Sequence, residues 1–572
     1  MAATKIKAAK VTAAPSRGRF VNTGDGPSLH PIDIGHREYM ALIDPDTAFW
    51  SLVQRTKLAD ILSDGQLAGN YRKKREAFAR EMDTLRFGLK PSAVYFNPTE
   101  RCNMNCTYCY IPAGMRRKGK HMPEKRLLRA LEILKQYFRK TLPKGSVPQI
   151  IFHGAEPLLN RDAVFTGIEA YGRDFVFGIQ TNATLLDDTA VDFLTSHRVS
   201  IGISLDAPTA NIANRTRKTW DGRGTFKEVS RAMERLKGYD GWSVICTVTG
   251  ANLRHLTSLI DFFHAREVPT CLMNILRCTL APSRSLKPGD MTAARYFLAA
   301  LDRSYELYER TGRKLTVGNF ANILLAIIAP AARRLMCDIS PCGGGRCFFA
   351  LAPGGDLFPC SEFIGLDRFL GGNIFQDDLA EVLKSEPFQM VAGRKVEEIE
   401  HCRHCAIRHF CGSPCPAEAY QMNGGMDRRG AFCEFYEEQT RYALRVIADN
   451  KADAYLWDGW DKGLKDTFQL GAGLRAKRGP GRQRNPSEWR SKKLQGKLFL
   501  LFRTIQLFSD HCSDLFQHVR LSDKGTRPEF LHPLDAGRFG ETTDDNGFLP
   551  RMDGQDLLVS IQSVHTGIHD HI

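Results

Sequence analysis

Residues 94–110 read VYFNPTERCNMNCTYCY, an apolar segment followed by three closely spaced cysteines. Cys102, Cys106 and Cys109 have the spacing C-x3-C-x2-C on the loop that leaves a predicted strand. Three thiolates can hold three irons of a cubane 4Fe-4S cluster, and the fourth iron then stays open to a ligand from outside the protein. An open metal position indicates a reactive site. The alternative is a zinc-binding loop, which requires a fourth ligand, and His121 is the nearest downstream candidate.

Strands and helices alternate after Gly88, which is the pattern of a parallel α/β sheet or barrel. The predicted strands are Ala93–Asn97, Gln149–His153, Phe175–Gln180, Val199–Leu205, Trp242–Val248 and Thr270–Ile275. The predicted helices include Glu124–Phe138, Asp187–His197, Phe226–Leu236 and Leu256–His264. These units predict an α/β fold with a partial (βα)6 TIM-like barrel. Before Gly88, the apolar pattern from Asp44 to Phe87 predicts short helices packed against a neighbour.

Candidate site residues follow the predicted strands at their carboxyl ends, where barrels of this kind gather their chemistry. They are Gly154, Glu156 and Pro157 after the second strand, Thr181 and Asn182 after the third, and Ser204 and Asp206 after the fourth. Each alone is more typical of a turn or a helix cap. Their recurrence at successive strand ends favours a shared binding site. Arg215 and Arg217 follow, and the guanidinium of either suits a carboxylate ligand.

A second cysteine-rich region begins after the barrel. Its thiols are Cys337, Cys342, Cys347, Cys360, Cys402, Cys405, Cys411, Cys415 and Cys433. The later ones read C-x2-C-x5-C-x3-C, and such spacing is strong evidence for bound metal. A pair of structural zinc sites is the alternative to iron-sulfur clusters. Cys246, Cys271 and Cys278, in contrast, lie on or just after predicted strands and are expected to pack in the core.

The composition, with 43% hydrophobic and 25% charged residues, is that of a soluble globular protein. No apolar run approaches the ~20 residues of a membrane span, and the basic N-terminus lacks the apolar part of a signal peptide. The sequence therefore predicts a cytoplasmic protein with no membrane partner. Sixteen Cys without an export signal favour metal sites over disulfides.

The net charge of +15 is concentrated at the two ends of the chain. Residues 462–503 carry many Lys and Arg among Gly and Pro, which is typical of a solvated linker. Together with the C-x2-C pair, this charge suggests an alternative of another class, a zinc-stabilised nucleic-acid-binding protein. We expect nucleic acid to be the less favoured partner.

The C-x3-C-x-aromatic-C pattern, with Tyr108 in the aromatic position, resembles the signature of the radical S-adenosylmethionine (SAM) superfamily. The resemblance implies that SAM chelates the open iron of the cluster held by Cys102, Cys106 and Cys109. An electron, from a donor such as flavodoxin or ferredoxin, then cleaves SAM to a 5′-deoxyadenosyl radical that abstracts hydrogen from the substrate.

The same resemblance assigns roles to the strand-end residues. The segment His153–Pro157 is similar to the family's Gly-Gly-Glu-Pro motif, which receives the SAM amino group, with Ala155 replacing the second Gly. Arg217 matches an Arg that pairs with the SAM carboxylate. The residues expected to line the SAM pocket are Tyr108, Gly154, Glu156, Pro157, Thr181, Asn182, Ser204, Asp206 and Arg217.

The second cysteine-rich region resembles the SPASM domain of radical SAM enzymes that modify peptides or proteins. The family's ligation would give one cluster to Cys342, Cys347, Cys360 and Cys415 and the other to Cys402, Cys405, Cys411 and Cys433. Cys337 is then left over or competes for a ligand place. The domains are expected to be a basic arm and helical extension at 1–88, a radical SAM core at 89–330, a SPASM domain at 331–441, and a linker and tail at 442–572.

A function in peptide or protein maturation follows from this resemblance. The His-Gly-Ala-Glu-Pro segment and residues 337–342 look similar to the maturases of quinohemoprotein amine dehydrogenase, which form thioether cross-links, so an intra-peptide thioether is the preferred product. The alternative is an anaerobic sulfatase maturase that makes formylglycine. That family carries an Asp directly after the Cys corresponding to Cys360, whereas this chain has Ser361 and then Glu362.

Overall fold

A ten-stranded sheet organises the part of the chain that the computed structural model describes, residues 29–59, 66–413 and 415–460. The predicted basic arm and the charged linker and tail after residue 460 lie outside these residues. Among the described helices, none is both long enough and apolar enough to cross a membrane.

A separate three-stranded antiparallel sheet precedes the large one. It consists of β1 (His30–Ile32), β2 (Tyr39–Ile43) and β3 (Trp50–Gln54), and α1 (Gln66–Asp83) follows. The expectation of helices alone between Asp44 and Phe87 is therefore wrong for its first part. Trp50, Ser51, Leu52 and Val53 are all buried in β3, and a short run buried on both faces cannot be assigned to strand or helix by periodicity.

Six parallel strands with intervening helices form the core of the large sheet, as the sequence predicts. The strands are β4 (Ala93–Phe96), β5 (Gln149–Phe152), β6 (Val176–Thr181), β7 (Ser200–Ser204), β8 (Trp242–Val248) and β9 (Thr270–Ile275). The helices of this part are α2 (Ala113–Lys118), α3 (Glu124–Thr141), α4 (Arg161–Tyr171), α5 (Asp188–Ser196), α6 (Ala210–Thr216), α7 (Phe226–Leu236), α8 (Leu256–Ala265), α9 (Ala281–Arg284), α10 (Asp290–Thr311) and α11 (Gly318–Ile328). The strands pair in chain order, which confirms the partial (βα)6 barrel.

The two faces of this sheet differ in their burial. In β8, Trp242, Val244, Cys246 and Val248 are completely covered, whereas the residues between them are only half-buried. The covered face carries the apolar side chains expected of a sheet packed on helices. The predicted core cysteines Cys246, Cys271 and Cys278 are all 0% exposed, which confirms that expectation.

The cysteine-rich region continues the same sheet. Short β10 (Thr316–Val317) pairs with β9, and β11 (Phe348–Leu351) pairs in parallel with β4 at the other side. Two antiparallel strands, β12 (Asp356–Phe358) and β13 (Gly372–Asn373), complete it. The remaining helices are α12 (Leu379–Val382), α13 (Glu386–Ala392), α14 (Arg408–Cys411), α15 (Pro416–Asn423), α16 (Cys433–Ala448) and α17 (Ala452–Tyr455). The β4–β11 pairing fixes this region beside the strand that leads into the first cysteine loop.

Candidate active site

The first three cysteines lie on the loop between β4 and α2. Distant residues hold this loop by its backbone: the Asn105 N–H donates to the Lys218 carbonyl at 2.6 Å, and the Thr107 N–H donates to the Thr216 carbonyl at 3.0 Å. The Cys109 N–H donates to the Cys106 carbonyl at 3.3 Å. The loop therefore has a defined shape that depends on the end of α6.

The surroundings of these thiols suit a bound metal cofactor. Burial raises the pKa of Cys102 to about 12 and that of Cys109 to about 11, and the charges of neighbouring thiolates add to both effects. Three thiolates at this place need a positive partner, which the irons of a cluster supply. Among the described residues, no three His, Cys, Asp or Glu side chains are placed to hold one metal ion.

Arg116 and Trp220, which the sequence did not single out, hold the cysteine loop through hydrogen bonds to its backbone and side chains. The Arg116 guanidinium, which is buried, donates from Nη1 to the Met104 carbonyl at 3.1 Å and to Asn105 Oδ1 at 3.2 Å. Trp220 donates from Nε1 to the Cys102 carbonyl at 2.8 Å, and Arg116 lies 5.3 Å from its ring centroid. Arg116 is one of many cations in a Lys/Arg-rich segment, so nothing in the sequence distinguished it.

Glu156 follows β5, is fully buried, and contacts the end of β6. Its Oε1 accepts hydrogen bonds from Thr181 Oγ1 at 2.7 Å and from the Leu158 N–H at 3.1 Å, and its Oε2 accepts from the Asn182 N–H at 2.8 Å. Burial raises the pKa of Glu156, and these hydrogen bonds and Arg217 oppose the rise. The carboxylate therefore positions the strand ends after β5 and β6.

Asn182 connects the third strand end to the cysteine loop. Its Nδ2 donates to Asn103 Oδ1 at 2.8 Å and lies 3.8 Å from Cys102 Sγ. Asn103 in turn donates to Thr184 Oγ1 at 2.8 Å. The predicted residues Thr181 and Asn182 are thus brought together with Glu156 and Cys102.

Tyr108, Asp206 and Arg217 form a second hydrogen-bonded group beside the loop, in which Asp206 and Arg217 are buried. The Tyr108 hydroxyl donates to Asp206 Oδ2 at 2.5 Å and accepts from Arg217 Nη1 at 2.6 Å. Arg217 Nη1 lies 3.9 Å from Asp206 Oδ2. The Arg217 Nε is buried without a hydrogen-bond partner. This nitrogen is a free donor in a site built from residues that the sequence predicts to bind SAM.

The surroundings of position 154, one of the predicted site positions, require a glycine. Its φ is +99°, and a Cβ at this position would lie 2.4 Å from the side-chain carbon Cγ of Asn97. Asn97 Oδ1 is buried without a partner, so it is a free acceptor next to Gly154. Pro157 begins a short 3-10 helix that Glu156 caps, and Ser204 is half-buried at the end of β7.

In the cysteine-rich region, one group of thiols gathers around Cys342. Burial raises the pKa of Cys337, and the charges of Cys342 and Cys415 add to it. Burial likewise raises the pKa of Cys360, with contributions from Glu362, Cys342 and Cys337. Cys347 has only Cys342 as an interacting thiol. The charges of Cys337, Cys342, Cys360 and Cys415 therefore act within one group, and Cys347 interacts with Cys342.

The other four cysteines form a second group, as the sequence predicts. Burial raises the pKa of Cys411, and the charges of Cys405, Cys433 and Cys402 add to the rise. The Cys433 Sγ is also 3.7 Å from His401 Nε2. Cys402, Cys405, Cys411 and Cys433 thus form a group separate from that of Cys342.

Glu362 is close enough to Tyr110 and Cys360 for its charge to act on both residues. Burial raises its pKa to about 7, which the charge of Arg277 opposes. Its Oε2 is buried without a hydrogen-bond partner, as is the hydroxyl of Tyr110, the residue after Cys109. Burial raises the pKa of Tyr110, and the charges of Glu362, Cys109 and Cys360 contribute. The charge of Glu362 therefore acts on residues of both cysteine-containing regions.

Comparison with known proteins decides the family. The radical SAM superfamily model matches residues 96–263, and the model of the iron-sulfur cluster-binding SPASM domain matches residues 342–406. An uncharacterised protein of Archaeoglobus fulgidus is 39% identical over 414 residues, 72% of this chain and 93% of that protein. The chain belongs to the radical SAM superfamily. This radical SAM enzyme uses [4Fe-4S] clusters and SAM as its cofactors.

Other relatives of this radical SAM enzyme are maturases. It is 24% identical over 376 residues to a cysteine-type anaerobic sulfatase-maturating enzyme of Clostridium perfringens, covering 62% of this chain and 97% of the relative. It is 25% identical over 353 residues to a mycofactocin maturase of Mycobacterium ulcerans, covering 60% and 88%. The solved structure of anSMEcpe with bound AdoMet superposes with a TM-score of 0.57 at 21% identity, over 66% of this chain and 98% of that chain, which supports the fold. These matches give no support to the nucleic-acid-binding alternative.

Proposed function

We propose that this radical SAM enzyme installs a post-translational modification in a peptide or protein, with Cys102, Cys106 and Cys109 holding the SAM-binding cluster. The observation that carries the proposal is the convergence of these three thiols with Glu156, Asn182 and the Tyr108–Asp206–Arg217 group at the carboxyl ends of β4–β7. The similarity to two kinds of maturase supports a peptide or protein as the substrate.

The fixed polar groups of the site suit a zwitterionic ligand. Arg217 offers a buried Nε–H donor to a carboxylate, and Asn97 offers a buried Oδ1 acceptor to an ammonium group beside Gly154. When bound, the cluster and SAM supply a 5′-deoxyadenosyl radical that takes a hydrogen atom from a substrate carbon. The enzyme's own residues orient SAM and keep water from the site.

The cysteine-rich region is proposed to hold two further clusters. We assign one to Cys402, Cys405, Cys411 and Cys433. For the other, we replace the expected Cys347 by Cys337, because Cys337 interacts with Cys342, Cys360 and Cys415 whereas Cys347 interacts with Cys342 alone. A cluster with four protein ligands has no open iron, so these clusters serve electron transfer or structure.

An intra-peptide thioether remains the first proposed product. Formylglycine is the second, and Glu362 favours it specifically. Its buried Oε2 has no partner and it lies close to Cys360 and Tyr110, near the place where the sulfatase maturases carry their Asp. Glu362 can therefore act as the acceptor of a substrate proton, although it lies one residue further from Cys360 than the Asp of the sulfatase maturases.

The proposal is tested by anaerobic incubation of the reconstituted enzyme with SAM, reductant and the small peptides encoded beside its gene. A thioether removes two hydrogen atoms and blocks alkylation of one substrate Cys. Formylglycine instead reacts with a hydrazide reagent, which separates the two products. Production of 5′-deoxyadenosine with no mass change in any of these peptides or in proteins purified with the enzyme would contradict a role in peptide modification.

A further inference from the structure

One cysteine of the loop between β4 and α2 lies directly beneath the protein surface. The residues on either side of Cys106, Asn105 and Thr107, are exposed, and Cys106 itself is half-buried. The loop is held in place here by backbone hydrogen bonds to the carbonyls of Thr216 and Lys218. A second protein can therefore come close to the loop thiols from this side.

Five cations surround this part of the surface, and we call them the basic rim. Backbone positions beside the cysteine loop carry them: the Glu100 N–H donates to the Lys120 carbonyl at 2.9 Å, and Arg101 Nε donates to the Gly119 carbonyl at 2.6 Å. All except the half-buried Lys218 are exposed. The basic rim consists of Arg101, Arg117, Lys118, Lys120 and Lys218.

Few carboxylates oppose the charge of the basic rim. Residues 99–121 hold five Lys and Arg but only one acidic residue, Glu100. Glu100 Oε2 accepts a hydrogen bond from the backbone N–H of Lys120 at 2.8 Å, and Asp221 accepts one from the hydroxyl of Thr219. Within the described part of the chain, no carboxylate forms an ion pair with a side chain of the rim. The surface beside the loop is therefore strongly positive.

Trp220 contacts both the basic rim and the backbone of a loop cysteine. It is half-buried, and the Arg117 guanidinium lies 5.6 Å from its ring centroid. Its Nε1 donates to the Cys102 carbonyl at 2.8 Å. One side chain thus spans the distance from the rim to Cys102, so the path from this surface to the loop thiols is short.

The surface near the last cysteine group carries charges of both signs instead. Burial raises the pKa of Cys433, the charge of Arg429 opposes the rise, and that of Glu434 adds to it. The exposed Arg428 lies 3.9 Å from Asp427 Oδ2. Cations and carboxylates therefore offset one another there, whereas the basic rim presents cations beside the reactive thiols.

We propose that the basic rim docks a small acidic redox protein that donates the electron for SAM cleavage. This inference rests on the proposed function, in which the loop thiols hold a cluster that is reduced from outside. The step moves one electron and no proton: the reduced flavin or iron-sulfur centre of the donor is oxidised by one electron, and the loop cluster is reduced by one. An acidic face on the donor speeds association, because complementary charges steer the encounter.

Two reductants of different size and charge test the proposal on the full-length, cluster-loaded enzyme. One is the hydroquinone form of a flavodoxin, an acidic protein donor, and the other is photoreduced 5-deazariboflavin, which is small and uncharged. Formation of 5′-deoxyadenosine is measured without peptide as the concentration of the reductant rises. Added salt should raise the half-saturating concentration of flavodoxin and leave the deazariboflavin reaction unchanged, because salt screens the attraction between two charged surfaces.

Paired variants assign the effect to the basic rim. Arg117→Glu/Lys118→Glu should raise the half-saturating flavodoxin concentration about tenfold and leave the deazariboflavin reaction unchanged. Lys140→Glu/Arg173→Glu makes the same change of charge at exposed positions in the last turn of α3 and just after α4, and it should alter neither reaction. Should the first variant lose activity with both reductants, Lys118→Gln/Lys120→Gln, which removes two charges and reverses none, should raise the flavodoxin value about threefold.

Binding of oxidised flavodoxin, followed by titration calorimetry at low salt, tests docking without turnover. The Kd should be about tenfold higher for Arg117→Glu/Lys118→Glu than for the wild type and the control variant. Equal Kd values in the three proteins would overturn the inference. Weaker binding of an acidic peptide with unchanged binding of flavodoxin would also overturn it, because the rim would then serve the substrate.

The two proposals fail in different ways. An enzyme that binds flavodoxin through the basic rim but cleaves SAM with neither reductant contradicts the proposed function alone. An enzyme that cleaves SAM with deazariboflavin and modifies its peptide, but binds flavodoxin equally well in all variants, contradicts this inference alone.

Discussion

The cysteine loop after β4 and the cysteine-rich region after β10 use the same ligand type in different surroundings. Three thiols of the loop lie among polar side chains that follow β5, β6 and β7, and beside Arg217, whose Nε has no hydrogen-bond partner. The thiols of the later region gather in two groups with enough cysteines for complete ligation. An iron-sulfur site therefore becomes reactive through a missing protein ligand and the polar groups placed to receive a small molecule instead.

The largest effect expected from this comparison is the loss of the loop thiols. Replacing Cys102, Cys106 and Cys109 together by Ala should abolish formation of 5′-deoxyadenosine from SAM, measured by chromatography under reductant. Bound iron should fall by only about a third, because the later thiols still hold their clusters. Persistent cleavage of SAM in this variant would show that the reactive iron lies elsewhere.

A second variant pair tests which thiols complete the first downstream cluster. Cys337→Ala should remove that cluster, seen as lost iron and lost charge-transfer absorbance in the visible region. Cys347→Ala should leave the cluster content close to that of the wild type, because Cys347 interacts with Cys342 alone. The opposite pattern would restore Cys347 as the ligand.

Glu156→Gln should disturb the site around the cysteine loop without removing a thiol. Gln replaces one carboxylate oxygen by an NH₂ group, which cannot accept a hydrogen bond. At least one of the donors Asn182 N–H, Leu158 N–H and Thr181 Oγ1 would then lose its acceptor. We expect SAM cleavage to fall about 10–100-fold, since one lost charge-assisted hydrogen bond costs about 1.5–3 kcal/mol. Glu169→Gln, on the exposed side of α4, is the matched control. Equal rates in the two variants would remove Glu156 from the site.

Tyr108→Phe should have the smallest effect. It removes the hydroxyl that joins Asp206 to Arg217 and leaves those charges 3.9 Å apart. The apparent affinity for SAM should fall about tenfold with the iron content unchanged. Tyr296→Phe, outside the site, should have no effect. A wild-type affinity in Tyr108→Phe would mean that Arg217 does not need this hydroxyl.

The sequence predicted the strands of the barrel well because each is an apolar run followed by a polar turn. β8 and β9 begin and end at the predicted residues. It could not identify Arg116 and Trp220, since their contacts with the cysteine loop depend on tertiary packing; Trp220 is 118 positions from Cys102. The sequence also could not decide whether Cys337 or Cys347 completes the first downstream cluster, because the two cysteines have the same spacing to Cys342.

The small sheet at the start of the described chain was mispredicted for a related reason. β3 is buried on both faces, so its apolar residues show no alternation. The sequence also gave no sign that Glu362 Oε2 is buried, since an acidic residue near a cysteine is usually expected at the surface. The positions of polar residues that follow strands could thus be predicted, whereas contacts that depend on long-range packing could not.

The electron paramagnetic resonance spectrum of the reduced, reconstituted enzyme, recorded before and after addition of SAM, tests the central claim most directly. An iron without a protein ligand in the cluster of Cys102, Cys106 and Cys109 should bind SAM, so part of the signal should shift in the wild type and not in the triple Ala variant. A spectrum that SAM leaves unchanged in the wild type would contradict the claim.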